Sequence, residues 1–276
     1  LALLLVGLLI YQHAPQRFPA LPLSRQHRRR MLRRSLVGGL IVLIALFCWV
    51  HRVPFFLKPL ADMGVAGAQY RLALALQKNP GSELGSNADS RYYLERAAEQ
   101  GHMDSAMALA RLPRSADEKL RWLTVAAEGG QAEAQYQLYL FMMKSLMADY
   151  KSRSALDWLQ SAAESGIADA QYELGRNLIH GNQQLGIERN SKNARQWWEK
   201  AADNGHGKSM KELAWRYTQA AEGFPRDPVK ATFLLGKIAE GYRNGRYGLP
   251  ENQQMALWHQ KQAEEIKALE ERAAQG

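Results

Sequence analysis

A five-residue pattern, Ala-Ala-acid-any-Gly, recurs along this chain at intervals of about 30 to 40 residues. Its four complete copies end in Gly101, Gly130, Gly166 and Gly205. A fifth, degraded copy consists of Ala239 and Glu240 with the glycine displaced to Gly241. Self-similarity at this period is typical of solenoids built from pairs of helices. The pattern therefore predicts an array of stacked helix pairs, none of which buries its apolar face alone.

Other positions keep the register of the glycine. An aromatic or large apolar residue stands five positions before the second alanine, as Tyr93, Trp122, Trp158, Trp197 and Leu234. A small residue and a leucine follow the glycine at helical spacing, as Ala68–Leu72, Ser105–Leu109, Ala134–Leu138, Ala170–Leu174 and Ser209–Leu213. Spacings of four place each set on one helical face. We predict that the tryptophans fill the space between helices and that the glycines end helices in a left-handed conformation.

The loops inside the helix pairs carry their own start signal. Residues 223–231 read Gly-Phe-Pro-Arg-Asp-Pro-Val-Lys-Ala, which predicts a tight turn, Asp227 as N-cap and Pro228 at the first helical position. Asn190 and Asn252 stand at the equivalent place in two variants of this loop. Helices are therefore expected to begin directly after all three residues.

These motifs resemble the Sel-one-like repeat family, a relative of the tetratricopeptide repeats. The resemblance rests on Ala-Gln-Tyr-any-Leu at 68–72, 134–138 and 170–174, on the 223–231 loop, and on the tryptophan-to-glycine ending of each unit. It covers roughly residues 63–265 and is weakest at 102–130, where the unit is shortened. It implies an all-α, right-handed superhelical solenoid, preceded here by one or two transmembrane helices. Some members carry paired cysteines in every repeat, whereas Cys48 is the single cysteine of this chain.

The charge of the chain is confined to one end. All of the net charge of +9 arises from residues 1–61, which contain nine basic and no acidic residues. Basic residues flanking apolar segments are typical of a topology signal. The rest of the chain is formally neutral and lacks interleaved aromatic and basic residues, so nucleic-acid binding is not expected.

The N-terminal region contains two apolar runs. Residues 35–50 are uncharged and would span about 24 Å as a helix, close to the thickness of a bilayer core. We interpret 35–57 as a transmembrane helix and its exit segment, and 1–11 as the end of a possible first span. The basic linker 12–34 is then cytoplasmic. A cleaved signal peptide and a buried core helix are the alternative interpretations of 35–50.

This arrangement predicts localisation. With the linker 12–34 in the cytoplasm, the repeats at 63–265 lie on the other side of a bacterial inner membrane, in the periplasm. Residues 266–276 are expected to be the end of a capping helix and a tail.

No catalytic or metal-binding constellation is recognisable. The histidines lack the spacing of a metal site, and neither a phosphate-binding loop nor a nucleophile elbow is present. His102 and His206, which follow repeat glycines, are expected to start helices rather than to bind a ligand. We expect no cofactor, no small-molecule substrate and no enzymatic activity.

A binding groove is the sharper hypothesis. Positions two and six residues after the small residue of each first helix point roughly away from the core. Aromatic and arginine side chains there belong to types that are enriched at interfaces. The predicted groove residues are Tyr136, Leu140, Tyr172, Arg176, Lys211 and Trp215. The alternative is that the recurring tyrosines pack against the next repeat.

The sequence thus favours a membrane-anchored interaction scaffold that captures a protein or peptide partner. An alternative is an accessory or regulatory subunit of an envelope transport or polysaccharide biosynthesis complex, with the transmembrane helices themselves as contacts. A cell-wall hydrolase is a third possibility, for which the sequence offers no acid or nucleophile pair. Partner identity, oligomeric state and the choice between peptide and glycan remain open at this stage.

Overall fold

The computed structural model describes residues 57–78, 86–145, 149–150, 153–221 and 223–275, all of which belong to one compact unit, Leu57–Gly276. The predicted segments 1–11 and 12–34, and all of 35–57 except Leu57, lie outside these ranges. Within the described ranges, no helix combines the length and the apolar character needed to cross a bilayer.

The described residues form helices joined by short connections. The helices are α1 Leu57–Asp62, α2 Ala66–Lys78, α3 Asn87–Glu99, α4 Met103–Arg111, α5 Ala116–Glu128, α6 Ala132–Lys144, α7 Ala155–Glu164, α8 Ala168–His180, α9 Ser191–Asp203, α10 Gly207–Gln219, α11 Pro228–Asn244 and α12 Gln253–Gln275. Two-residue antiparallel strands, β1 Asp149–Tyr150 and β2 Arg153–Ser154, precede α7. Each helix packs against the next one along the chain. Contacts between sequence neighbours are those of a solenoid, as the repeat period predicts.

The predicted inward stripes are confirmed. Every small residue and leucine of the five pairs is buried, from Ala68 and Leu72 in α2 to Ser209 and Leu213 in α10. Trp122 and Trp158 are also buried, with 2% and 1% of their surface exposed. Trp197 differs, because it is only half-buried while its neighbour Trp198 is 1% exposed. In α9 the buried aromatic residue is therefore Trp198, one position after the predicted Trp197.

The Ala-Ala-acid-any-Gly pattern is the last turn of a helix together with its stop signal. Gly101 has a positive φ of 83°, and its N–H donates to the carbonyl of Ala98. The next N–H, of His102, donates to the carbonyl of Ala97 at 3.0 Å. This pair of bonds is the Schellman motif, which requires a left-handed residue at the glycine position. The same two bonds recur at Gly130, Gly166 and Gly205.

The predicted helix starts are also present. Asp227 accepts a hydrogen bond from the N–H of Lys230, and Pro228 is the first residue of α11. Asn190 caps α9 by accepting from the N–H of Asn193. Asn252 accepts from the N–H of Met255 in the same way, so each side chain satisfies a helix N–H that has no partner within the helix.

The last copy of the pattern does not end a helix, contrary to its interpretation as a degraded ending. Gly241 lies inside α11, which continues to Asn244 and stops at Gly245, a left-handed residue with φ 61°. A Cβ on Gly241 would lie 2.9 Å from Cδ1 of Leu249, so this glycine permits the loop after α11 to approach the helix. The helix α11 is therefore longer than the earlier second helices.

Candidate functional site

One predicted groove residue, Tyr172, packs against α9 and against the start of α10. The ring of Tyr172 stacks on Trp198 at 6.1 Å between centroids and lies 4.7 Å from the ring of His206. Burial raises the pKa of the Tyr172 hydroxyl above its ordinary value. Tyr70, at the equivalent position in α2, lies 4.8 Å from His102. Tyr70 and Tyr172 therefore each pack on the histidine at which the first helix of the next repeat begins, in line with the alternative interpretation.

Three further predicted residues occupy the same helical face. Tyr136 is half-buried and stacks on Tyr139 with 6.1 Å between ring centroids. Leu140 is exposed. Arg176 is exposed and forms an ion pair of 2.8 Å with Glu173 on its own helix. These side chains belong to the surface of α6 and α8 and are separate from the cavity described below.

A row of buried glutamines links the repeats, and sequence reasoning did not assign it a role. Gln69, Gln135 and Gln171 each donate a side-chain N–H to the alanine carbonyl eight residues earlier, at 3.0 to 3.3 Å. Asn204, at the end of α9, in turn donates to Oε1 of Gln171 in α8 at 3.0 Å. Each glutamine adds a second hydrogen bond to a carbonyl in the last turn of the preceding helix, which also accepts from the N–H of the glycine that ends this helix. The identical register of the glutamines was the available signal.

His102 and His206 are N-cap residues, as expected. Nδ1 of His206 accepts a hydrogen bond from the N–H of Ser209 at 3.1 Å, and Nε2 lies 3.1 Å from Asp169. Burial lowers the pKa of His206, although the carboxylate of Asp169 acts in the opposite direction. Both histidines therefore cap the N-terminus of the helix that follows them.

A cavity of about 450 Å³ lies between α10, α11 and α12. It contains two of the predicted groove residues, Lys211 and Trp215. We name this cavity the terminal groove and define it by its lining residues: Lys211, Ala214, Trp215, Thr218, Gln219, Leu235, Ile238, Tyr242, Met255, Trp258, His259, Gln262, Glu265, Ile266 and Leu269. Its volume is in the range of ordinary ligand sites.

Aromatic rings dominate the terminal groove. His259 stacks on Tyr242 with ring centroids 5.6 Å apart and an interplanar angle of 9°. Trp258 meets the same imidazole edge-on at 4.5 Å. Trp258 and Trp215 nevertheless remain 51% and 54% exposed. Large indole rings left half in solvent beside a cavity are typical of an interaction surface.

Two polar groups of the terminal groove have few partners. Nζ of Lys211 is 3.5 Å from the hydroxyl of Tyr242 and 5.9 Å from its ring, and no carboxylate of the described residues pairs with it. His259 is 5% exposed, and neither ring nitrogen has a hydrogen-bond partner of normal geometry within the described ranges. Burial and the charge of Lys211 lower the pKa of His259, while the nearby Gln262 side chain opposes this shift.

Sequence comparison places the repeats in a known family. The model described as Sel1 repeat matches residues 66–102, 132–167, 168–206, 208–241 and 229–265, which together exceed half of the chain. This chain belongs to the Sel1 repeat family. The Sel1 matches at 208–241 and 229–265 overlap within α11, so this helix serves as the second of one repeat and the first of the next. Its double role explains why Gly241 does not end a helix.

Solved structures support the same fold. A Sel1 repeat protein from Oxalobacter formigenes is 28% identical, with a TM-score of 0.56, and the match covers 68% of this chain and 78% of that one. A protective antigen of uropathogenic Escherichia coli with an SLR fold is 23% identical, also with a TM-score of 0.56. That match covers 77% of this chain but 48% of the antigen, so this Sel1 protein spans about half of its length. No curated protein matches the sequence.

The described part of this Sel1 repeat protein contains no cluster of three or more His, Cys, Asp or Glu side chains suited to a metal ion. Its polar groups are arranged instead for structural caps and for the terminal groove. The lining of the terminal groove includes one carboxylate, Glu265, together with Lys211 and His259.

Sequence reasoning missed Tyr242, Trp258 and His259. The signal for α12 was present as an apolar stripe at helical spacing, namely Met255, Trp258, Ile266 and Leu269. A capping helix needs one apolar face, yet Trp258 and Leu269 stay largely exposed. The helix continues unbroken to Gln275, so residues 266–275 form its last turns, where the end of a capping helix was expected.

Proposed function

We propose that this Sel1 repeat protein is a membrane-anchored scaffold whose terminal groove captures a protein or peptide partner. The family fold is generally used for protein–protein interaction. The observation that carries the proposal is the pair of half-exposed indoles, Trp215 and Trp258, on either side of one cavity. Tryptophan is among the residues most enriched at binding hot spots. The groove therefore has the composition of an interface centre.

The anchor and the location are part of the same proposal. The uncharged apolar run at 35–50 and the basic linker before it support a tether in a bacterial inner membrane with the repeats in the periplasm. Reporter proteins fused after Arg34 and after Gly276 test this topology. We expect a cytoplasmic signal at the first site and a periplasmic signal at the second. Two cytoplasmic signals would refute the periplasmic placement.

Photo-crosslinking in cells tests the groove. A benzophenone amino acid replaces Trp215 in one variant and Phe233 in a matched control. Phe233 is also an exposed aromatic residue, 62% accessible on α11, but it does not line the groove. We expect a discrete adduct from position 215 that is lost when Trp258 is changed to Ala. Equal adducts from both positions, or none from 215, would contradict partner capture at the groove.

The same assay distinguishes a simple tether from a second candidate role, that of an accessory subunit. If the protein is an accessory subunit whose apolar segments contact an envelope transport or biosynthesis complex, replacing 35–57 by an unrelated span will abolish activity while the adduct at position 215 persists. The glycine pair Gly38-Gly39 within the apolar run favours this alternative, since small residues permit close helix packing. Retention of activity after the exchange supports a simple tether.

A further inference from the structure

The cation of the terminal groove lacks an anionic partner. Lys211 is half-buried on α10, and its ammonium group donates a hydrogen bond to the hydroxyl of Tyr242, 3.5 Å away. Other lysines on the repeats do reach carboxylates, as Lys230 reaches Glu199 at 3.2 Å. Removing a charge from water without a counter-charge is costly. A carboxylate brought by a ligand would offset this cost with a charge-assisted hydrogen bond.

A second polar group in the same lining is also unsatisfied. The imidazole of His259 is 5% exposed, and neither of its nitrogens has a partner of normal geometry among the described residues. The half-exposed ring of Trp258 covers one side of this imidazole. A buried polar group without a partner lowers stability in the free protein, so a ligand that supplies one gains affinity. The groove thus offers two separate reasons to bind a polar, anionic group.

The other lining residues of the terminal groove determine which ligand groups can lie beside the ligand carboxylate. Trp215, Met255 and Ile266 provide an apolar lining large enough for a bulky side chain. The amide side chains of Gln219 and Gln262 lie in the same lining and are suited to hydrogen bonds with peptide groups, which an acyl chain does not offer. Glu265, the one carboxylate of the lining, is paired with Lys261 at 3.7 Å on α12. A ligand carboxylate is therefore directed toward α10.

We propose that the terminal groove recognises a peptide segment in which a carboxylate lies beside a large apolar side chain. The carboxylate pairs with Lys211, and the apolar side chain enters between Trp215 and Trp258. This inference rests on the proposed function, since it names the chemistry of the partner that the groove captures. It goes further because it requires that the affinity of the groove for the peptide depend on the peptide carboxylate and on the ammonium group of Lys211.

A peptide array tests the inference directly. Its heptapeptides each combine one Asp or Glu with one Phe, Trp, Leu or Met at separations of one to four residues. Every acidic peptide has a partner in which Asn or Gln replaces the acid. The full chain, held in detergent micelles, is applied as the parent protein, as Lys211→Met and as Lys208→Met. Lys208 is an exposed lysine of the same helix outside the groove, so it controls for charge loss.

The parent and Lys208→Met are expected to bind acidic peptides about tenfold more tightly than their amide partners. Lys211→Met is expected to bind both forms alike, at the weaker level. Equal binding of acidic and amide peptides by the parent, or a preserved preference in Lys211→Met, overturns the inference. In that case a persistent adduct at position 215 would show that the proposed function survives as purely apolar docking.

A fatty acid serves as the competing ligand. If laurate binds the full chain in a Lys211-dependent manner while no array peptide binds, the groove takes a lipid and the peptide inference is wrong. If no peptide binds and no adduct forms at position 215, both the inference and the proposed function fail. Displacement of a bound acidic peptide by its acidic relatives, but not by laurate, supports the inference.

Discussion

Trp198 of α9 lies directly against the backbone of Gly175 in α8. A Cβ built on Gly175 would be 2.5 Å from Cδ1 of the indole, and the indole N–H donates to the carbonyl of Tyr172 at 3.0 Å. Trp198 is 1% exposed, so it has no free space into which to move. This contact fixes the distance between two helices of one repeat.

Replacing Gly175 with Ala is therefore expected to destabilise the protein by about 1 to 3 kcal/mol through overpacking. Gly236→Ala is the matched control, because Gly236 is also helical but has nothing within 4 Å of its Cβ position. There the better helix propensity of alanine is expected to raise stability by up to about 1 kcal/mol. Urea unfolding monitored by circular dichroism measures both. A neutral Gly175→Ala would show that α8 and α9 separate at little cost.

The glutamine row provides a second prediction. Gln171→Met keeps the length of the side chain but removes its hydrogen bonds to the carbonyl of Ala163 and from the side chain of Asn204, each of which retains one other partner at Gly166. We expect a loss of about 0.5 to 1.5 kcal/mol, the usual net contribution of a hydrogen bond. Gln137→Met is the control, since Gln137 bonds only to Glu133 on the same exposed face. Equal effects of the two substitutions on the unfolding midpoint would argue against a role of the row in joining repeats.

Two tryptophans of similar appearance in the sequence should behave differently. Trp158 is 1% exposed inside the repeat core, whereas Trp215 is 54% exposed at the terminal groove. Trp158→Ala is expected to cost about 3 to 5 kcal/mol because it leaves a large cavity. Trp215→Ala is expected to change stability by less than about 1 kcal/mol and to act on partner binding instead. Thermal unfolding and crosslinking yields separate these roles, and the reverse order would contradict the assignment.

The buried histidines predict a dependence of stability on pH. Burial lowers the folded-state pKa of His206 and of His259 below the ordinary value of 6.5. Between the lowered pKa and 6.5 the unfolded chain binds more protons, so stability rises with pH in that window. The stabilisation is thus fully present above about pH 6.5 and is lost as the pH falls through the folded pKa values.

The substitution His259→Phe tests this dependence. The phenyl ring retains the stacking on Tyr242 and removes both the titrating group and its unpaired nitrogens. The groups facing His259 are Lys211 from α10, Tyr242 from α11 and Gln262 from α12, of which Lys211 adds to the lowering of the His259 pKa by burial. We expect the variant to lose less stability than the parent between about pH 7 and pH 5. An unchanged loss, measured by urea unfolding at both pH values, would assign the dependence to other groups.

Much of the fold was predictable because it is specified locally. The Schellman ending at Gly101 and the cap at Asp227 depend on residues within one or two turns, so their sequence patterns are sufficient. The inward pair of Ala134 and Leu138 follows from helical periodicity in the same way. These features together define stacked helix pairs, which is what the family comparison also shows.

The tertiary structure decided between residues that helical periodicity does not distinguish. Trp197 and Trp198 are adjacent, and only the close approach of Gly175 selects Trp198 as the buried ring. The terminal groove depends on the same kind of choice, because Lys211, Tyr242 and His259 come from three successive helices whose packing brings them together. The sequence alone thus determined the helices, their ends and their inward faces, which arise from short-range contacts. Which side chains meet between helices was decided by packing, since it depends on how neighbouring backbones approach each other.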